Sequence, residues 1–506
     1  MYILNGFEYL FAHPTALLFV FIGAITGTVA GAIPGMTSAA AIAMLVPVTF
    51  YLDPLTALAF LYVIGKSGRY GGSIAAILFN TPGTASSAAT MRDGYPMTQQ
   101  GKAGKALKTA TVASVFGDTF GELVLIFCAA IIAAFTSTFG PPEYFAIYMM
   151  AFVVISSVIG KSIIKGLLST LFGVMISIIG LDPIAGIPRM TMGMYSLESG
   201  FSLVPLLIGL FVISEVMVQT EKLDDEGVHV ARMSSDDPDA GRLTWAEFKR
   251  CIPLMLRSSG MGAVIGLLPG LGSAVACFAA YGEGKRRSKS PEKWGTGIVE
   301  GIAAPESANN AVSGPTMIPL LTLGVPGSTI AAILIGVFLI HGIQVGPMIF
   351  ETHRDLVYGL FAAGLLGIAS YGVIGYFCGP LIGRAIAYVP PRLLYPFIFL
   401  IAAISSYSPR QSLFDIGVAL VFGIIGYIMR RTSYSTAAFI IAFVLARGAE
   451  NAFRQSLLLS DNGMGVFLER PIAIAFMAIG LAVLVGRIVS DLRRKHRHAE
   501  AASGNS

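Results

Sequence analysis

The stretch Tyr70-Gly-Gly-Ser-Ile-Ala-Ala-Ile-Leu-Phe-Asn-Thr-Pro-Gly-Thr84 decides how this chain is read. It is apolar enough for a membrane, yet Gly71, Gly72, Pro82 and Gly83 let the backbone leave helical geometry, and Ser73, Asn80, Thr81 and Thr84 set polar side chains beside it. In hydrocarbon every unpaired backbone amide is costly, so an unwound stretch survives only where protein or a polar cavity covers it. A broken apolar segment of this kind is a candidate binding site. A second one, Pro319-Leu-Leu-Thr-Leu-Gly-Val-Pro-Gly-Ser328, lies in the other half of the chain.

The surrounding composition agrees. Of 506 residues 55% are hydrophobic and 12% charged, and the mean hydropathy of +0.74 places the chain among polytopic membrane proteins. Its 58 glycines and 26 prolines suit close helix contacts and helix breaks. A net charge of +5 fits basic cytoplasmic loops and gives no reason to expect a nucleic-acid partner. Cys128, Cys251, Cys277 and Cys378 are scattered without metal-ligand spacing and read as small buried hydrophobes. The N-terminus lacks the basic region of a cleavable signal, so the first apolar segment is expected to stay in the membrane. The six histidines fall in no HExxH pattern and no glycine-flanked serine nucleophile is present, which argues against an enzyme. An open channel would want polar pore-lining faces in place of paired breaks.

Gly27-Thr-Val-Ala-Gly-Ala-Ile-Pro-Gly35 has the pattern GxxxGxxPG, and Gly262-Ala-Val-Ile-Gly-Leu-Leu-Pro-Gly270 repeats it 235 positions later. Pro141-Pro142 returns as Pro390-Pro391, Ile155-Ser-Ser157 as Ile404-Ser-Ser406, and Phe172-Gly173 as Phe422-Gly423, at offsets of 249, 249 and 250. The chain is two copies of one unit. Strongly basic loops in one copy answer loops with few or no basic residues in the other: Tyr51-Leu-Asp-Pro54 against Lys285, Arg286, Arg287, Lys289 and Lys293, then Arg92, Lys102, Lys105 and Lys108 against Glu351, Arg354 and Asp355. Lys161 and Arg410 are basic in both. By the positive-inside rule equivalent loops lie on opposite sides, so the copies are inverted.

The expected fold is an all-α polytopic membrane protein of roughly 10 to 12 spans, in two inverted-topology repeats with broken, re-entrant helices. Residues 1–220 form the first repeat, 221–250 a polar cytoplasmic linker, 251–492 the second repeat and 493–506 a basic cytoplasmic tail, with the N-terminus outside. The segment Thr436 to Ala446 shows no counterpart after Gly180 and would supply the extra crossing this topology needs.

Free N–H groups at broken helix ends attract anions, while carbonyls and side-chain oxygens suit Na⁺. Candidates for binding an anionic substrate are Arg69, Gly71, Gly72, Ser73, Asn80, Thr81, Pro82, Gly83 and Thr84 with Gly324, Pro326, Gly327 and Ser328. Candidates for the coupling ion are Asn80, Glu306, Asn309, Asn310 and Thr322. The alternative for these polar residues is capping of helix ends. Lys66 and Arg69 either attract a carboxylate or, for Lys66 above all, snorkel to the headgroups; Glu306 is a cation ligand, a proton carrier or a loop carboxylate. No cofactor is expected beyond a possible Na⁺ coupling ion.

Tyr70-Gly-Gly-Ser73, Asn80-Thr-Pro-Gly83 and Asp93-Gly-Tyr-Pro96, with Leu268-Pro-Gly-Leu-Gly272, Ala304-Pro-Glu-Ser-Ala-Asn-Asn310 and Gly324-Val-Pro-Gly327, resemble the signatures of the large membrane subunit of tripartite tricarboxylate transporters, the TctA family. The resemblance runs from about Gly23 to Pro471. It implies a bacterial inner-membrane carrier importing citrate or a related tri- or dicarboxylate with Na⁺ or H⁺ by alternating access. It also implies two partners, a small four-helix membrane subunit and a periplasmic solute-binding protein. A carrier or exporter of another organic anion keeps the same fold. Two departures bear on substrate choice: Pro34-Gly-Met-Thr37 lacks the further glycine of the second copy, and Lys66-Ser-Gly-Arg69 is more basic than the family pattern.

Overall fold

The computed structural model describes residues 2–158, 162–182, 185–221, 240–268, 270–388, 391–460 and 463–503. Lys161, Pro269, Pro390 and most of the polar linker lie outside them. In the first repeat the helices are α1 (Tyr2–Phe11), α2 (Pro14–Ala32), α3 (Ser38–Leu45), α4 (Pro54–Phe79), α5 (Ser87–Gln99), α6 (Ala103–Thr136), α7 (Pro141–Val158), α8 (Ile163–Ile178) and α9 (Leu203–Glu221). In the second they are α10 (Trp245–Leu267), α11 (Gly272–Arg287), α12 (Val299–Ala311), α13 (Met317–Leu323), α14 (Thr329–Ile340), α15 (Arg354–Ala387), α16 (Pro391–Tyr407), α17 (Leu413–Arg431), α18 (Thr436–Leu458) and α19 (Pro471–Ser503). Strand is confined, among the described residues, to a two-residue ribbon, Gly180–Leu181 paired antiparallel with Pro188–Arg189.

The protein is therefore an all-α polytopic membrane protein. Seven described helices are long and apolar enough to cross a bilayer unaided: Pro14–Ala32, Ala103–Thr136, Leu203–Glu221, Arg354–Ile386, Leu413–Arg431, Thr436–Leu458 and Pro471–Val489. That is fewer than the sequence suggests, for a physical reason. The breaks leave short apolar helices such as Thr329–Ile340, and α4, at 26 residues, carries Lys66 and Arg69 in its middle.

The chain packs as two compact units, one of Met1–Phe135 with Ser202–Tyr427 and one of Thr136–Phe201 with Ile428–Ser506. Each draws on both repeats. In the first unit the two GxxxG stripes do the same work. A Cβ on Gly27 would stand 2.6 Å from the Ile64 carbonyl and one on Gly31 2.2 Å from that of Gly68; on Gly262 and Gly266 it would meet the carbonyls of Ala308 and Val312 at 2.4 and 2.8 Å. Small residues let these backbones touch, which is how helices associate where no water drives them together. Ile64 to Ala308 and Gly68 to Val312 are both steps of 244 positions. The long helices are exchanged between repeats: α15 packs on α2 and α4, and α6 presses Gly117 and Gly121 against the carbonyls of Ser307 and Ala311 on α12.

The same step of 244 carries Asn80 onto Gly324, Pro82 onto Pro326, Gly83 onto Gly327 and Thr84 onto Ser328. Asn80 (φ 55°) ends α4 and Gly324 (φ 70°) ends α13, both left-handed, as glycine and asparagine at helix C-termini commonly are. The breaks are thus equivalent, but the first is narrower than the sequence suggests. Tyr70-Gly-Gly-Ser73 does not unwind; it lies inside continuous α4. Gly71 is there because a Cβ would strike the Thr28 carbonyl at 2.4 Å and Gly31 Cα at 3.0 Å, so its glycine serves packing.

In the second unit α8 and α18 pack with Gly173 against the Phe439 carbonyl, where a Cβ would sit at 2.2 Å. Its polar rim holds Asp182 to Arg454 at 2.8 Å and Arg189 to Glu450 at 2.8 Å. Within the first unit α9 packs on α17 in the same way, Gly209 against the Ala419 carbonyl and Gly423.

Candidate functional site

On α4, Tyr62, Lys66, Arg69 and Ser73 fall at positions 0, 4, 7 and 11, one face of a helix. Ser114, Asp118 and Glu122 do so on α6, and Glu306, Asn309 and Asn310 on α12. All are buried in the first unit. Lys66 Nζ lies 2.6 Å from Asp118 Oδ1 and 2.8 Å from Glu122 Oε2, with no solvent exposure at any of the three. Tyr62 donates to Glu122 at 2.7 Å and Tyr371, on α15, to Asp118 at 3.2 Å. A Cβ on Gly364 would stand 2.4 Å from Glu122 Oε1, so glycine there makes room for the carboxylate. Snorkelling of Lys66 is overturned: its ammonium points to two buried carboxylates.

One turn further along α4 a second polar cluster joins the repeats. Glu306 accepts hydrogen bonds from Ser73 at 2.6 Å, from Ser114 at 2.9 Å and from Thr90 on α5. It is fully buried, so a loop carboxylate at the interface is also overturned. Arg69 Nη1 donates to the Asn309 carbonyl at 3.4 Å, and Asn310 Nδ2 to the Glu306 carbonyl at 3.0 Å. Among the described residues Arg69 Nε, both side-chain polar atoms of Asn309 and Asn310 Oδ1 have no hydrogen-bond partner. Orphaned buried donors and acceptors are uncommon enough to call for a ligand or water. Lys66 and Arg69 face three carboxylates, Asp118, Glu122 and Glu306, which leaves one negative charge in formal excess. A carboxylate ringed by hydroxyls is an all-oxygen set that can take a hard cation or a proton.

The other predicted residues have local partners. Asn80 closes α4; Thr81 donates to the Phe79 carbonyl at 3.2 Å and Thr84 is bonded with Ser86 and Ser87. Gly83 folds the break back so that a Cβ would meet Gly31 O at 2.8 Å and Gly72 Cα at 2.9 Å. In the second break Gly327 accepts from Gly270 at 3.2 Å, Ser328 caps α14 through Ala331 at 3.2 Å, and Thr322 bonds Ile318 O at 2.8 Å. Pro326 is buried between Val325 and Gly327. Each break thus packs on its own repeat. Of the predicted residues, those that hydrogen-bond across the repeats are Arg69 and Ser73 with Glu306 and Asn309.

The profile of the Tripartite tricarboxylate transporter TctA family matches residues 17–441. The chain belongs to this family. An uncharacterized 52.8 kDa protein in the TAR-I ttuC' 3' region of Agrobacterium vitis is 35% identical over 484 residues, 95% of each chain. A second, in the TAR-II ttuC' 3' region of that organism, is 35% identical over 236 residues, 46% of this chain and 96% of its own length. A solved manganese transporter from Eremococcus coleocola aligns over 92% of this chain and 95% of its own at 14% identity with a TM-score of 0.12, too weak a likeness to assign a fold.

In this TctA-family chain the run Asp93-Gly-Tyr-Pro96 has a structural use. Asp93 accepts from the N–H groups of Gly295, Gly297 and Ile298 at 2.9 to 3.0 Å and from Tyr281 OH at 2.8 Å, latching α5 to the loop that starts α12. A Cβ on Gly301 would overlap its carboxylate, 2.0 Å from Oδ2. Sequence reasoning missed Asp118, Glu122, Thr90 and Ser114. The signal was present, since two carboxylates four apart inside an expected crossing are expensive unless paired.

Proposed function

We propose that this chain is the membrane carrier of a binding-protein-dependent secondary transporter that imports a tri- or dicarboxylate with Na⁺ or H⁺ by alternating access. It would work in a bacterial inner membrane beside a small four-helix membrane subunit and a periplasmic solute-binding protein, with its N-terminus periplasmic and its C-terminus cytoplasmic. One observation carries this reading: a buried arginine and two buried asparagines with unpartnered polar atoms stand next to Glu306 in its ring of hydroxyls. The guanidinium and amides suit a carboxylate, and the glutamate suits the driving cation. Because the cluster carries an excess negative charge, loading a cation at Glu306 first lowers the repulsion an incoming carboxylate meets. Coupling follows from that order.

The test is uptake of a labelled carboxylate panel into proteoliposomes holding this chain and its two partners, with Na⁺ and pH gradients imposed separately. Uptake should follow one gradient, Arg69→Gln should abolish it, and Glu306→Gln should remove its dependence on the gradient. Uptake indifferent to both gradients would overturn the carrier reading.

A further inference from the structure

A cavity of about 760 Å³ opens in the first unit away from the buried clusters, between α10, the end of α11 and the loop before α12. Lys105, Arg250, Arg257, Arg287, Lys289 and Lys293 line it, and among the described residues the carboxylates that meet them are Glu247, Glu283 and Glu300. Four of its cations are held by carboxylates: Lys105 lies 3.0 Å from Glu247, Arg250 2.6 Å from Glu300, and Arg257 and Arg287 3.5 and 2.7 Å from Glu283. Lys289 and Lys293 make no ion pair among the described residues. Trp294 lines the same cavity and is 5% exposed, and its indole nitrogen is buried without a hydrogen-bond partner among the described residues. A buried donor left unmet costs free energy unless something accepts from it.

We propose that this cavity is a binding site for a multivalent oxyanion, carboxylate or phosphate, separate from the site around Glu306. The volume is that of a small-molecule site. The lining offers planar guanidinium forks that match oxyanions in pairs of hydrogen bonds and lysines on flexible stems that follow charge. A neutral or cationic ligand would leave the excess of basic groups unanswered. The same chemistry is presented by a free anion in solution and by an anionic lipid headgroup, which basic pockets between membrane helices bind.

The sequence holds two tryptophans, and Trp245 is exposed. In the full chain carrying Trp245→Phe, emission therefore reports Trp294 alone. In neutral-lipid nanodiscs this chain is titrated with inorganic pyrophosphate and, separately, with a tricarboxylate; a parallel arm replaces neutral lipid with phosphatidylglycerol. A saturable change that weakens with salt, and that becomes at least about tenfold weaker in the Lys289→Gln, Lys293→Gln double variant, is the expected result. A change with pyrophosphate or tricarboxylate assigns a soluble ligand, and one confined to the anionic nanodiscs assigns a lipid headgroup. Absence of a saturable change in every arm overturns the proposal, and so does a change that the double variant leaves intact. Both lysines are exposed, and a Lys289→Arg, Lys293→Arg chain that keeps binding separates lost charge from lost fold.

Discussion

Replacing Lys66 with methionine tests the buried ion cluster most directly. Methionine matches the lysine stem in length and apolar character, so packing is conserved and the perturbation is the lost charge. What remains is Asp118 and Glu122, fully buried, held by Tyr62 at 2.7 Å and Tyr371 at 3.2 Å but without the ammonium that pairs with both, Arg69 being the one cation left nearby among the described residues. Removing one partner of a buried pair typically costs 3–5 kcal/mol, about that much here, because the surviving charge cannot return to water. Two carboxylates share the one ammonium, so the loss should sit at the upper end. The triple variant Lys66→Met, Asp118→Asn, Glu122→Gln removes every charge in near-isosteric fashion, and it should recover to within about 1–2 kcal/mol of the parent. Unfolding in mixed micelles titrated with denaturing detergent, followed by far-ultraviolet circular dichroism, reads both. A Lys66→Met chain as stable as the parent would refute the cluster and return Lys66 to the bilayer surface. A triple variant no better than the single would mean that the damage was to packing.

Two further perturbations use the repeat. Asn80→Gly and Gly324→Asn exchange the two left-handed helix ends and should each change stability by less than about 1 kcal/mol, whereas Gly324→Val should cost about 1–2 kcal/mol in the same unfolding assay. Gly27→Leu and Gly262→Leu both drive a side chain into a facing carbonyl, at 2.6 and 2.4 Å from the first carbon; each should lower the yield of folded monomer by size-exclusion chromatography, and a tolerated substitution at either would deny that helix contact.

Much of the fold was legible because its causes are local or periodic. The GxxxG stripes, the proline-glycine breaks and the hydropathy show directly in the sequence, and the structure uses both stripes and both breaks alike. Unwinding at Gly71 and Gly72 was misread because a glycine that permits a turn and one that permits close approach look the same in sequence; only the Thr28 carbonyl behind Gly71 distinguishes them. Glu306 and Asn309 stood out beside Pro305. Their partners did not, because Ser73, Thr90 and Ser114 come from three helices whose meeting is tertiary.

The two copies share a backbone but not a chemistry, and that difference gives the first unit a direction. The step of 244 that equates the breaks places Glu306 opposite Tyr62, Asn310 opposite Lys66 and Val337 opposite Asp93. Asp93 therefore fastens α5 to the loop at 295–298, and valine at the matching position offers no such latch. Three residues before Asp93 on the same helix, Thr90 reaches Glu306, so freeing the latch loosens the hydroxyl ring as well. Cys277, buried on α11, reports that opening. Asp93→Ala should raise the rate at which a small maleimide labels Cys277 by at least about tenfold, the change expected when a fastening worth about 1.4 kcal/mol is lost. Cys128→Ser, Cys251→Ser and Cys378→Ser remove the competing thiols. Labelling unchanged by Asp93→Ala, in a chain whose unfolding midpoint has not moved, would show that the hydrogen bonds to Gly295, Gly297 and Ile298 hold nothing that opens.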